Sequence, residues 1–151
     1  MNEQVHTNAF APGRERVRQK WGTAVDEGFT GFQMVPDVLV RSQKRLGLTS
    51  AEMMVLLNIL MHWWTADRWP HPRLATIARR MGVEERTVQR HVGKLEKVGL
   101  VKRLPPEQDP GGGPSRRRFD LTGLIARLEE LADQMRLSEG EDRPVSSSGS
   151  R

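Results

Sequence analysis

The stretch HPRLATIARRMGVEERTVQRHVGKLEKVGLVKR, from His71 to Arg103, decides the fold. Ala78 is small enough for a second helix to cross close to the first, and Gly82 can adopt the left-handed conformation that ends a helix. Val83 and Val88 follow at positions where apolar side chains fill the angle between two helices. The spacing therefore predicts a helix, a tight turn and a second helix.

The segment before this pair predicts a buried helix. Thr49 can cap the free amides at the start of that helix while Glu52, three residues later, reaches back to the backbone of Thr49. Apolar residues then lie nearly all round the helix, which is typical of a central helix. Because the apolar run continues through Met61 to Trp64, both side chains are expected in the core rather than at a cofactor pocket.

The segment after the pair predicts two strands. Gly99 is expected to end the second helix, and a strand-like alternation follows it. A loop rich in proline and glycine separates this strand from a basic return strand. The fold class is therefore mainly α with a small β-wing, a winged helix-turn-helix with a C-terminal helix. The expected elements are helices over about 72–81 and 84–98 and strands over 100–104 and 116–120.

The outward positions of the second helix carry residue types that recognise DNA. A helix fits the major groove of B-DNA, where Arg reads guanine and Gln reads adenine. Arg90 is the favoured guanine reader because it shares a face with Arg86. Glu85 either accepts a hydrogen bond from cytosine or pairs with a neighbouring Arg. The DNA-binding residues expected on this helix are Glu85, Arg86, Gln89, Arg90 and Lys94.

The charge distribution agrees with a polyanion as partner. The formal net charge is +5, but residues 71–118 carry +7 and the remainder carries −2. A basic block centred on such a helix pair is typical of nucleic-acid binding. Two residues of the three-arginine run, Arg116 and Arg118, share a strand face, so the three cannot all enter one groove. The expected DNA contacts in the wing are Lys102, Arg116, Arg117 and Arg118.

The remainder of the chain predicts a mostly flexible N-terminal arm over 1–30 with a short helix around 14–21. It also predicts a DNA-binding domain over 31–120, a helix over 121–137 and a disordered tail over 138–151. Apolar residues recur along the helix at spacings of three and four, as in a helix-pairing seam. This favours a homodimer formed through the helix, and the alternative is that the helix folds back on its own domain. The expected dimerisation residues are Leu121, Leu124, Ile125, Leu128, Leu131 and Met135.

Residues 32–137 resemble the winged helix-turn-helix proteins of bacteria, plasmids and phages. The resemblance implies that Thr87 faces the DNA groove or a phosphate. Arg73 and Glu84 depart from the pattern, because both positions often hold serine in that group, and Arg73 is expected to replace the missing phosphate contact. The residues that match the pattern are Pro72, Ile77, Ala78, Gly82, Val83, Thr87, Val88, Leu95, Gly99 and Leu100.

Three functions are compatible with these features. The first is a sequence-specific transcriptional regulator that binds double-stranded DNA as a homodimer. The second is a plasmid or phage replication-initiation or partition protein that binds origin or centromere DNA. The third is a winged domain used only for protein contacts, which predicts a second helix without clustered arginines.

Catalysis is not expected, because the four histidines show no metal-ligand spacing and the Gly111–Gly113 run does not lie between a strand and a helix. The sequence contains no cysteine, which suits the cytoplasm, and no apolar run is long enough to cross a membrane. No cofactor, metal or small-molecule ligand is indicated.

Overall fold

The computed structural model describes residues 11–26, 31–107, 111–112 and 116–141. They divide into two compact units, one that ends at Met34 and one that begins at Val35. In the first unit, helix α1 (Ala11–Trp21) continues into a short 3-10 turn. This helix covers the short helix expected around 14–21 and begins three residues before it. The rest of the arm, residues 1–10 and 27–30, lies outside the described residues.

The second unit is mainly helical and contains one small sheet, which confirms the expected fold class. Two short helices come first, and three longer helices and two strands separate them from a long C-terminal helix. The elements are α2 (Asp37–Arg41), α3 (Gln43–Leu46), α4 (Ser50–Leu60), α5 (Leu74–Met81), α6 (Glu85–Lys97), β1 (Lys102–Arg103), β2 (Phe119–Asp120) and α7 (Thr122–Glu141).

Helix α4 begins as the sequence predicts and ends earlier. The Thr49 hydroxyl accepts a hydrogen bond from the Glu52 amide at 3.2 Å, and the Glu52 carboxylate accepts one from the Thr49 amide at 2.8 Å. The helix ends at Leu60 instead of continuing to Trp64, and tighter turns follow it. This change of backbone geometry ends the helical periodicity, so the expectation that Met61 and Trp64 are core residues was wrong. Both side chains are exposed, and that of Trp64 is 79% exposed.

Helices α5 and α6 meet at the predicted turn. Gly82 has φ = 67°, and its amide donates to the carbonyl groups of Ala78 and Arg79 at the end of α5. Because this left-handed conformation strains any residue with a Cβ atom, glycine suits the position. Val88 is fully buried between the helices, whereas Val83 is 37% exposed. The expectation that Val83 fills the interhelical angle was therefore wrong.

The wing is a short antiparallel pair that is fixed to the core at one end. Arg103 pairs with Phe119, and the Leu104 amide donates to the Arg118 carbonyl at 2.9 Å. Phe119 is buried, and its amide donates to the Pro70 carbonyl in the loop between α4 and α5 at 2.9 Å. This bond fixes β2 beside the start of α5. Most of the predicted wing loop, residues 108–110 and 113–115, lies outside the described residues.

Helix α7 packs on its own subunit. Its start is capped by the Asp120 carboxylate, which accepts from the Thr122 amide at 2.8 Å. Its apolar stripe belongs to the same hydrophobic core as the residues of α2, α4 and α6. These stripe residues are therefore unavailable to a partner subunit, so their assignment to a dimer seam was wrong. The residues concerned are Leu121, Leu124, Leu128 and Leu131.

The seam residues were misassigned because an apolar stripe shows that a helix face is covered but does not identify the covering surface. The two remaining seam residues differ from the stripe, because Ile125 is partly exposed and Met135 is half-buried.

The helix extends to Glu141, four residues past the predicted end at residue 137. Residues 142–151 of the predicted tail lie outside the described residues.

Candidate nucleic-acid interface

Helix α6 has one buried face and one polar outward face. Val88, Val92 and Leu95 are fully buried, which fixes the rotation of the helix about its axis. Arg86 and Arg90 are exposed on the opposite side, and neither has an ion-pair partner among the described residues. Both guanidinium groups are therefore free to bind an anion or a base edge. The remaining exposed polar residues predicted on this helix are Glu85, Gln89 and Lys94, and Thr87 is half-buried.

A groove separates α6 from the start of α5 and from the wing. It brings together predicted site residues from three separate stretches of sequence, and His71, Arg103 and Phe119 also line it. Arginine and glutamine donate hydrogen bonds to phosphate and base acceptors, and a carboxylate accepts them from base amino groups. The groove can therefore hold a nucleic-acid strand. The predicted residues in its lining are Arg73, Glu85, Gln89, Arg116 and Arg117.

Arg73 reaches this groove because it stands at the start of α5. It occupies the N-cap position of the helix. Its side chain is exposed and has no ion-pair partner among the described residues, so the guanidinium group is available to a ligand. Glu84, the other departure from the family pattern, is the N-cap of α6 and makes no side-chain capping bond.

The three wing arginines differ in the contacts that they make. Arg116 and Arg117 line the groove, whereas Arg118 forms an ion pair with Glu107 across the hairpin. The Arg118 Nε atom is buried without a hydrogen-bond partner. Arg116 forms an isolated antiparallel bridge with Glu107, and the Arg118 guanidinium group binds the carboxylate of the same Glu107. This pairing is compatible with the expectation that Arg116 and Arg118 share a strand face, and the ion pair distinguishes Arg118 from the other two arginines.

Lys102 lies apart from the groove. It pairs with Asp120 in the strand register and lines a separate hollow beside the start of α7. Hydrogen bonds from the Thr122 hydroxyl and amide lower the pKa of Asp120, and the charge of Lys102 lowers it further. Because neighbouring residues of a strand point to opposite faces, Arg103 faces the groove while Lys102 does not. Lys102 is thus not part of the cluster formed by the other predicted residues.

Sequence reasoning missed two residues near this surface. Lys97 is exposed and lies seven residues after Arg90, so both residues lie on the outward side of α6. That spacing could have identified Lys97. Arg103 lines the groove, but its guanidinium group is paired with the Glu96 carboxylate. Its position could not be read from the sequence, because it depends on the short wing strand.

Among the described residues, no helix combines the length and the apolar composition that a membrane crossing requires. The same ranges contain no cluster of His, Asp and Glu side chains arranged to hold a metal ion.

Comparisons with known proteins agree with this geometry. Residues 46–101 match a family model described as a helix-turn-helix domain. The N-terminal domain of the DnaD protein from Geobacillus kaustophilus is 21% identical with a TM-score of 0.54, and the match covers 84% of this chain and 96% of that chain. A comparison with curated proteins gave no match.

Two regulators are similar to the chain with lower TM-scores. The transcriptional regulator PA3341 is 29% identical with a TM-score of 0.42, and the match covers 72% of this chain and 74% of that chain. The E. coli protein MarR is 17% identical with a TM-score of 0.42, over 75% of this chain and 89% of that chain.

Residues 46–101 thus have the helix-turn-helix arrangement that this family model describes. With the antiparallel strands after α6, the fold is a winged helix-turn-helix.

Proposed function

We propose that this protein binds double-stranded DNA sequence-specifically and regulates transcription. In this proposal α6 enters the major groove, and Arg86, Gln89 and Arg90 face the base edges. Arg116 and Arg117 contact the flanking backbone from the wing. The observation that carries the proposal is the groove in which Arg73, Gln89 and Arg116 converge beside the two unpaired arginines of α6. Function through binding requires no catalytic group and no cofactor.

The same interface would serve a plasmid or phage replication-initiation or partition protein. The two roles differ in where the bound DNA lies, and not in how the protein contacts it. Footprinting on the chain's own upstream region and on neighbouring replication and partition sequences separates them. A protected promoter operator supports regulation, whereas protection confined to an origin or centromere supports the second role. Either role places the protein in the cytoplasm with the chromosome or plasmid.

Arg90 provides the sharpest test of sequence-specific binding. Its exposed guanidinium group can form two hydrogen bonds to a guanine on the protected site. We expect Arg90→Ala to weaken binding to that site by about 1–3 kcal/mol and to change binding to random DNA little. The measurement is a titration of both DNAs by fluorescence anisotropy at one salt concentration.

Arg136→Ala is the matched control, because it removes an exposed arginine from α7 that is paired with Asp133. It should change neither affinity. If Arg90→Ala lowers the affinity for specific and random DNA equally, Arg90 contacts a phosphate and does not read a base. The absence of any protected site in a footprint would contradict sequence-specific binding itself.

We also propose that two copies bind a two-fold symmetric site as a homodimer. The buried stripe of α7 cannot form the contact, because it belongs to the core of its own subunit. The exposed apolar side chains of Ile125 and Leu137 on the same helix are the candidates for pairing. A dimer places two α6 helices on successive major grooves, about one helical turn of DNA apart.

A further inference from the structure

Trp64 is more exposed than any other large hydrophobic side chain among the described residues. The neighbouring residue Trp63 packs against the core and lies 5.7 Å from Trp69, measured between ring centroids. A turn closed by the bridge between Thr65 and Arg68 follows immediately. The indole of Trp64 thus stands in solvent next to an ordered turn. An exposed indole is free to stack on a ligand, and its surroundings indicate which ligand it suits.

The side pocket that contains Trp64 combines this ring with cationic and hydrogen-bonding groups. Two guanidinium groups, two imidazoles and a hydroxyl line it, and no carboxylate does. Such a set suits a planar aromatic group that carries negative charge nearby, since the ring can stack and the cations can bind phosphate. Its principal lining residues are His62, Trp64, His71, Arg73, Thr76 and Arg116.

His62 contributes hydrogen bonding rather than charge. Its Nε2 atom lies 3.1 Å from the Arg80 guanidinium group, which can only donate, so Nε2 accepts and the proton resides on Nδ1. Partial burial lowers the pKa of His62, and the charges of Arg80 and His71 lower it further. The neutral ring therefore offers an Nδ1–H donor beside the indole at neutral pH.

The side pocket adjoins the groove of the proposed DNA interface. His71, Arg73 and Arg116 line both of them. A nucleic-acid strand that contacts α6 and the wing can therefore extend past Arg73 and Arg116 to the indole. The internal bases of a duplex are stacked on both faces and cannot stack on Trp64, whereas an unpaired base can leave the stack and present a free face.

We propose that this side pocket binds an unpaired nucleotide that adjoins the bound duplex. The base stacks on Trp64, Arg73 and Arg116 bind the phosphates on either side of it, and His62 and Thr76 hydrogen-bond to its edge. The proposal rests on the proposed function, because the duplex brings the unpaired nucleotide to the pocket. In addition to binding a duplex, the protein would then prefer DNA in which a single strand adjoins that duplex.

The test compares a blunt duplex with the same duplex carrying a single-stranded oligothymidine extension. The wild-type protein should bind the extended duplex roughly 5- to 100-fold more tightly, as expected for one base stacked on an aromatic side chain. Trp64→Ala should abolish this gain and leave affinity for the blunt duplex unchanged. Trp64→Phe should retain part of the gain, because a phenyl ring still stacks.

Trp21→Ala is the matched control, since it removes another exposed tryptophan from the other compact unit and should preserve the gain. Tryptophan fluorescence should be quenched by the extension in the wild type and not in Trp64→Ala. If the protein binds both DNAs with equal affinity, this inference is overturned and the proposed function stands. If the protein binds neither DNA, the proposed function is overturned. A gain that survives in Trp64→Ala also overturns the inference. The extension could fail to increase affinity while a polyglutamate peptide binds the wild type and not Trp64→Ala. That result would show that the side pocket binds an acidic protein segment and not a nucleotide.

Discussion

Two glycines show how one residue type serves opposite purposes in this fold. Gly123, in the first turn of α7, lies against the end of α6, and a Cβ atom there would stand 2.0 Å from the Gly99 carbonyl oxygen. The next amide, that of Leu124, donates to the Leu100 carbonyl at 3.0 Å. Gly93, in α6, has open space where a Cβ atom would lie. Close backbone packing thus requires glycine at one site and is absent at the other.

The same substitution should therefore have opposite effects at these two glycines. We expect Gly93→Ala to raise the free energy of unfolding by up to about 1 kcal/mol, because alanine favours the helix. We expect Gly123→Ala to lower it by about 1–3 kcal/mol, because α7 must move away from Gly99. Urea denaturation followed by circular dichroism measures both. Similar stability of Gly123→Ala and the wild type would contradict the close packing of α7.

At the residue scale, the sequence predicted features that depend on neighbours in the chain. The capping box of Thr49 and Glu52 and the left-handed Gly82 require only local spacing, and the structure contains both. Trp64 and Val83 were misplaced because their burial depends on where a helix ends and how two helices cross. Residue type alone favours the core for both, and only the three-dimensional arrangement shows them exposed.

At the scale of the secondary-structure element, the sequence predicted the strands of the wing but not all the contacts of their side chains. Two strands after α6 could be predicted from alternation and from the Gly-rich loop, and the sheet has that antiparallel topology. The separate roles of the three arginines could not be predicted, because they depend on which side chain finds an acidic partner across the hairpin. Arg118 is bound to Glu107, whereas Arg116 and Arg117 line the groove. The strands were thus predicted, and the ion pair of Arg118 was not.

This division of the wing arginines predicts different salt dependences. Replacing Arg116 and Arg117 together with alanine should weaken binding to all DNA and reduce the slope of log K against log salt by roughly 1–2 units. Arg118→Ala should leave the slope unchanged, because its guanidinium group contacts Glu107 and not DNA. Binding isotherms over a series of salt concentrations measure both variants. An equal reduction in slope for Arg118→Ala would place all three arginines on the DNA backbone.

At the scale of the whole molecule, α7 links the end of α6, the wing and the core. Its start is held by Asp120 of β2 and by the Leu100 carbonyl, and its apolar stripe completes the core that includes Leu39 of α2. The sequence predicted this helix and its apolar stripe. The sequence could not predict which surface covers that stripe, because the core of the same chain and the surface of a second subunit can both be apolar. The position of α7 makes the folding of the DNA-binding unit depend on this helix.

Two substitutions in α7 separate its role in folding from its proposed role in pairing. Leu128 is 8% exposed within the core, so Leu128→Glu buries a carboxylate without a partner and should unfold the protein. Leu137 is 72% exposed, so Leu137→Glu should leave the unfolding temperature nearly unchanged. Sedimentation should then show a dimer for the wild type and a folded monomer for Leu137→Glu, with weaker binding to a two-fold symmetric site. A wild-type monomer at micromolar concentration, or a dimeric Leu137→Glu variant, would contradict pairing through the end of α7. A folded Leu128→Glu variant would instead contradict the packing of α7 on its own subunit.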